Sequence, residues 1–290
     1  MNDRAISDQA HPYSCLPERV GPSALRREPF PHLVIPDALP LETYAELEAA
    51  WPTLDQVAGP GPLDNNRLYK LAAPKVVDNP AIALPWRAFF SYHTSTDFLR
   101  RVAAVWAEEL YLLHPDFHGV FGAPLQDLAA RRRHPGKRHN PRNREGDIML
   151  DCQFGMNSPV KQPSSVRGPH LDNPAKLFAG LLYFRAAGDD SSGGDLQLYR
   201  PQNAGYARRA GSRIDPASVA VAASIPYAPN TLVMWLNSPL AIHGVSPRSV
   251  TANPRRYVNL LGECYRPGLS FTDPAGLQPW WRRLRHGWWR

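Results

Sequence analysis

The chain has 290 residues, 43 % of them aliphatic or aromatic and 20 % charged, which excludes wholesale disorder and leaves enough apolar material for a sizeable core. Its 31 prolines argue against a helical bundle, because proline breaks helices and punctuates turns; strands joined by long loops are favoured. The formal net charge of +7 hints at an anionic partner.

Met1 to Gln9 is polar and no apolar run follows it, so no secretory signal is expected, and no stretch approaches the roughly 20 apolar residues of a membrane span. Cys15, Cys152 and Cys264 are far apart and odd in number. They make neither a zinc ribbon nor a redox pair, and a cytoplasmic location with reduced thiols is the simplest expectation.

In chain order, His32 to Ile35 reads as a short strand, and a helix is predicted from about Leu41 with Leu41, Tyr44, Leu47 and Trp51 at helical spacing. Ala58 to Asp64 is a Gly/Pro loop and Asn79 to Trp86 an irregular segment. A stronger helix covers Thr96 to Leu113, with Phe98, Val102, Val105, Trp106, Leu110 and Leu113 on one face. A basic loop follows, from Arg131, Arg132 and Arg133 through Lys137, Arg138, Arg142 and Arg144; it is either a solvated charge run or a contact surface for an anionic substrate.

From Asp147 short apolar runs alternate with turns: Ile148 to Phe154, Leu177 to Phe184, Asp195 to Tyr199, Ser218 to Ile225, Thr231 to Leu236 and Tyr257 to Leu261. This spacing predicts a mainly β jelly-roll core over about 147–268, packed against a helical N-terminal portion over about 29–146 within one domain.

In Pro169-His170-Leu171-Asp172, residues two apart on an extended chain share a face, so His170 and Asp172 can reach one metal ion. His243 lies 73 positions later, after another apolar run, and completes a set of two imidazoles and one carboxylate. Such a facial triad leaves coordination positions open and suits non-haem iron(II). A second H-x-D, His114-Pro115-Asp116, sits with His118 at the end of a predicted helix and reads as helix-end polar residues.

The order Pro169-His170-Leu171-Asp172-Asn173-Pro174, then Leu181-Leu182-Tyr183-Phe184, then Gly193-Gly194-Asp195-Leu196-Gln197-Leu198-Tyr199, then His243-Gly244-Val245-Ser246-Pro247 resembles the prolyl 4-hydroxylase-like branch of the 2-oxoglutarate/Fe(II)-dependent dioxygenases. The motif resemblance spans about 150–262, with weaker agreement near 29–51. It implies a double-stranded β-helix core with iron at the barrel mouth, held by His170, Asp172 and His243. It also implies Fe(II), O2 and 2-oxoglutarate as co-substrate, with ascorbate as an accessory reductant, and substrate hydroxylation with release of succinate and CO2.

The family places a basic residue on the strand after the distal histidine, where a guanidinium pairs the far carboxylate of 2-oxoglutarate. Arg255 and Arg256 both qualify. Arg256 is preferred because Tyr257 and Val258 follow it as the pattern asks, although 13 positions from His243 is long for the family and Gly262 stands where some relatives have an aromatic. Tyr183 matches a tyrosine that assists the same carboxylate. Gly193-Gly194 is expected to be architectural, Lys176 a surface lysine, and Asn173 either a support for Asp172 or a turn residue.

The C-terminal stretch from Pro279 interleaves Trp280, Trp281, Trp288 and Trp289 with arginines; a docked helix, peripheral contact with an anionic membrane at its inner face and, third, stacking on a single-stranded nucleic acid all fit. The expected substrate is a small molecule, glycan or peptide, with an anionic one favoured. No nucleic-acid partner is expected. The competing readings are an oxidative nucleic-acid demethylase and a non-catalytic jelly-roll metal-binding protein.

Overall fold

A computed structural model describes residues 11–17, 20–21, 24–202 and 214–273. Strands β1 (Leu25–Arg26) and β2 (His32–Ile35) lead into helices α1 (Leu41–Ala49) and α2 (Leu54–Ala58), then strand β3 (Leu68–Ala72). Helices α3 (Leu84–His93), α4 (Thr96–Leu113) and α5 (Phe117–Phe121) precede strand β4 (Ala130–Arg132). The remaining strands are β5 (Ile148–Asn157), β6 (Lys176–Tyr183), β7 (Leu196–Pro201), β8 (Val219–Ile225), β9 (Thr231–Leu236), β10 (His243–Val245) and β11 (Arg255–Glu263).

Local sequence explains the helices. The Ser95 hydroxyl accepts from the Phe98 amide and caps α4, while Phe98, Leu99, Val102, Trp106 and Leu110 bury one face of it. Thr53 and Gln56 form a reciprocal capping box that starts α2. The first turn of α3, Leu84 to Trp86, falls in the segment that the sequence reads as irregular. Pro85 stands in this turn, where the missing N–H has no helical partner to lose, so it opens the helix rather than breaking it.

The strands form two sheets. The larger runs β1-β2-β9-β6-β11-β5-β3, with β4 beside β5, and the smaller runs β10-β7-β8. A single bridge joins His170 to His243 and adds a fourth position beside β10. The chain therefore visits the large sheet at β5, the small one at His170, the large one at β6, the small one at β7 and β8, the large one at β9, the small one at β10 and the large one at β11. That alternation, with orders β5-β11-β6-β9 and His170-β10-β7-β8, is a double-stranded β-helix. The mainly β fold with flanking helices thus matches the sequence expectation.

Pleating divides the large sheet's side chains. Phe178, Leu182, Met234, Val258 and Leu260 join Trp86, Phe90, Phe98 and Trp106 of the helices in one core. Ala179, Tyr183, Val233, Trp235, Tyr257 and Leu261 face the small sheet and pack on Leu196, Leu198, Ile225 and Tyr227 in a second. The two cores make the sheet a rigid partition, helices on one side and the barrel interior on the other. Among the described residues no helix is long and apolar enough to cross a membrane.

Candidate active site

His170 and His243 are cross-strand neighbours. The His170 amide donates to the His243 carbonyl at 2.9 Å and the His243 amide donates back at 3.1 Å, which sets the ring centroids 4.2 Å apart. The extended pairing ends there; Asp172 follows in irregular chain, not in a strand as the sequence suggests. Each imidazole holds Nδ1 against a carbonyl two residues earlier, His170 on Gly168 and His243 on Ala241, both at 2.9 Å. With Nδ1–H donating there, both Nε2 lone pairs are free to bind a metal.

One ligand atom from each of His170, Asp172 and His243 lies within 4.8 Å of the others, and all three residues are buried. The nearer carboxylate oxygen of Asp172 is 3.7 Å from the His243 Nε2. Burial is the main cause that lowers the His170 pKa, to about 2, with His243 and Arg167 adding to it. Burial likewise lowers His243, against the opposing Asp172 charge. For Asp172 burial alone acts upward, but Lys176 and the two imidazoles outweigh it and hold the carboxyl below its usual range. The cluster is therefore poised as two neutral imidazoles and one carboxylate, the protonation state a divalent ion requires.

Lys176 is not a surface lysine: its ammonium donates to the Asp172 Oδ1 at 2.7 Å and only 15 % of its side chain is exposed. It fixes which carboxylate oxygen faces the imidazoles. Asn173 is a turn residue, its side chain accepting from the Ala175 amide at 3.0 Å. His114 lies elsewhere: it is the C-cap residue of α4, its amide on the Leu110 carbonyl, and its Nε2 bonds the Asn237 carbonyl at 2.9 Å.

Gly244 decides how closely the two histidine segments approach. A Cβ there would stand 2.9 Å from the Gly168 carbonyl and 3.2 Å from that of Arg167, so any side chain pushes β10 away from the His170 segment. Gly244→Ala is expected to lower metal affinity well before it abolishes folding. Metal titration alongside a melting curve checks this; unchanged affinity would show that the pairing tolerates the shift.

Arg255 and Arg256 face opposite sides of β11, as strand neighbours must. Arg256 points to the helical side, where it bonds the Phe184 carbonyl at 2.9 Å and Glu48 at 3.0 Å, with its guanidinium over the Trp51 ring. Arg255 points into the barrel. Its guanidinium sits about 5 Å from the ring centroids of Tyr183, Tyr227 and Tyr257, and its Nε donates to the Gly194 carbonyl at 2.8 Å. Gly193 and Gly194 are both in the left-handed region, and a Cβ on Gly193 would overlap the Pro247 carbonyl, so this turn also presents the acceptor that orients Arg255.

Three polar groups around this point are buried without partners: the Arg255 Nη2, the Tyr183 hydroxyl and both amide atoms of Asn157, which is the cross-strand partner of Arg255. An unsatisfied buried polar group costs on the order of 1–3 kcal/mol, which makes this cluster a candidate binding site. The neighbouring Arg248 is equally buried but saturated by Asp189, Ser191 and the Asn253 carbonyl. Asn157 escaped the sequence reading because a lone asparagine closing an apolar strand carries no signal until its cross-strand partner is known.

Tyr183, Tyr257 and Trp235 belong to one buried cluster, and the Trp235 ring lies 4.5 Å from that of His243. The triad and the Arg255 pocket thus share the barrel interior.

No protein-family model and no curated protein matches the sequence. Solved structures do match. The chain is similar to the carbocyclase SnoK from nogalamycin biosynthesis, described as non-haem and alpha-ketoglutarate-dependent: 13 % identity, 91 % of this chain, 96 % of that one, TM-score 0.45. It is similar to an oxidoreductase of the 2OG-Fe(II) oxygenase family from Burkholderia pseudomallei, at 13 % identity over 84 % of this chain and 88 % of that one, TM-score 0.42. A prolyl 4-hydroxylase from Phytophthora capsici matches at 14 % identity over 88 % of this chain and 68 % of that one, TM-score 0.40. These are 2OG-Fe(II) oxygenases. Likeness this distant assigns no activity to the chain.

Proposed function

We propose that this chain is an Fe(II)- and 2-oxoglutarate-dependent dioxygenase, one catalytic domain that hydroxylates its substrate and releases succinate and CO2. The observation that carries this reading is the convergence of His170, Asp172 and His243, with ligand atoms within 4.8 Å in a buried setting. Two imidazoles and one carboxylate fit iron(II) and leave room for further ligands. Iron(II) held there, with 2-oxoglutarate as the co-substrate that is oxidised to succinate and CO2, would let O2 act as the oxidant.

The chain's own residues do the rest. His170, Asp172 and His243 hold the ion, and Lys176 orients Asp172. Arg255, with Tyr183 and Asn157, takes the far carboxylate of 2-oxoglutarate, a role that suits three unsatisfied groups and not Arg256, which is already paired with Glu48. The apolar walls Leu196, Leu198, Val233 and Trp235 keep water from the reacting centre. A purely structural metal site has no use for this second anchor, which counts against a non-catalytic jelly-roll protein.

A cytoplasmic location and attachment to the inner face of a membrane through the Trp/Arg stretch complete the proposal; that stretch lies outside the described residues. The decisive assay is succinate formation from 2-oxoglutarate by the purified full chain. It should appear with iron(II), vanish with a chelator and return when iron is restored. Iron-independent turnover, or none with iron present, would overturn the reading.

A further inference from the structure

We propose that the substrate of this site carries phosphoryl groups and is held by a cationic wall that the segment from Arg133 to Arg144 builds beside Asp172. The inference rests on the oxygenase reading for the reaction but on different residues for the binding. A cleft of about 1030 Å³ opens directly at Leu171, Asp172 and Asn173. Its cationic lining is Arg133, Lys137, Arg138, Arg144, Arg167 and Arg266, and among the described residues the one carboxylate that lines it is Asp172, already committed to the triad.

The side chains of Lys137, Arg138, Arg142 and Arg144 are exposed, but the backbone that carries them is ordered. It folds as two successive 3-10 turns, Lys137–His139 and Pro141–Arg144, stapled from within. Asn143 is 1 % exposed and its side chain bonds the His134 amide and the carbonyls of His134 and Lys137 at 2.7–2.9 Å. The Asn140 amide holds the Pro135 carbonyl at 2.8 Å, and the Arg144 guanidinium holds the Arg138 carbonyl at 2.9 Å. Arg133 roots the segment in the barrel through Asp151 and Glu263.

Lys137 itself sits at φ 48°, a left-handed conformation that L residues other than glycine seldom adopt. Such strain persists where the surroundings enforce it, and it tends to accompany function. The wall is thus pre-organised, and its charges do not have to be collected when a ligand arrives.

Arg133 is balanced by Asp151 and Glu263, and Arg266 by Asp147. Lys137 and Arg138 have no carboxylate partner among the ion pairs of the described residues. Lys70, on β3, adds to the same field. Burial first, then Lys176, Lys137 and Arg167, lower its pKa to about 8. Several cations converging on an open cleft, with the nearby carboxylate already used, suit a multiply charged anion. Guanidinium forks and ammonium points together match phosphoryl oxygens.

The test measures pyrophosphate and inorganic phosphate binding to the purified full chain by calorimetry, with sedimentation on phosphatidylglycerol vesicles in parallel. The wild type should bind pyrophosphate more tightly than phosphate, and added salt should weaken both. The double change Lys137→Glu, Arg138→Glu should cost about tenfold or more in pyrophosphate affinity. Arg200→Glu, which removes an exposed cation of β7 outside the cleft, should cost less than about twofold.

Vesicle binding lost in the same double variant would support the site and identify a lipid headgroup as the source of the phosphoryl group; pyrophosphate binding without vesicle binding would support a soluble phosphorylated substrate. Wild type that binds neither probe, or a double variant that binds as tightly as wild type, would overturn the proposal. Metal-dependent 2-oxoglutarate binding by the wild type, titrated separately, reports on the oxygenase reading alone. Its loss sinks that reading whichever way pyrophosphate behaves.

Discussion

Changing His243 to alanine should abolish both iron retention and 2-oxoglutarate turnover, a loss of at least about a hundredfold. His243 is 5 % exposed, has its Nδ1 committed to the Ala241 carbonyl, and faces Asp172 with its Nε2. His114 cannot replace it, because its Nε2 is spent on the Asn237 carbonyl. Burial also lowers the His114 pKa to about 4. His170→Ala and Asp172→Ala should match His243→Ala. His114→Ala should lower the melting temperature, through lost packing on Phe271 and a stranded carbonyl, and leave the metal titration nearly unchanged. Full turnover by the His243→Ala protein would remove the triad from the proposal.

The strands and the grouping of His170, Asp172 and His243 were legible for a common reason: both rest on local patterns. Strand β9 coincides with the apolar run Thr231 to Leu236, and α4 with the periodic stretch Thr96 to Leu113, because each buries a face that its own spacing announces. The triad announces itself through residue chemistry at two places in the chain. What stayed hidden depends on contacts made at long range. Helix α3 is rich in aromatics of middling helix propensity, and Trp86, Phe89 and Phe90 are drawn into helix by the core they fill. Strand β3 exists because β5 offers it an edge, Leu71 opposite Phe154. Lys176 looked like a surface residue until the turn at Asn173 brought it back onto Asp172.

The choice between Arg255 and Arg256 shows where local pattern stops. By the Tyr257 and Val258 that follow it Arg256 is the better match to the family pattern, but register decides which arginine enters the barrel, and a shift of one residue exchanges the two faces. Arg255 pairs with Asn157, Tyr257 with both Gly155 and Tyr183, and a Cβ on Gly155 would stand 2.5 Å from the Tyr257 ring. These contacts hold β11 in a register that points Arg255 inward.

Arg255→Ala should therefore raise the 2-oxoglutarate requirement by about ten- to a hundredfold, the equivalent of losing a charged hydrogen bond worth on the order of 1.5–3 kcal/mol. Arg255→Lys should recover part of that loss, since an ammonium restores the charge but not the two-pronged geometry. Iron affinity in the absence of 2-oxoglutarate should change little, because Arg255 touches tyrosine rings and the Gly194 carbonyl rather than the triad.

Arg256→Ala should behave differently. It breaks a partly exposed pair with Glu48 and a contact over Trp51, so it should lower the melting temperature slightly and leave the 2-oxoglutarate requirement alone. The same titration run on both alanine variants separates the two arginines. A large rise in requirement for Arg256→Ala, with none for Arg255→Ala, would mean that the co-substrate binds on the helical side of the sheet, away from the barrel that His170, Asp172 and His243 share.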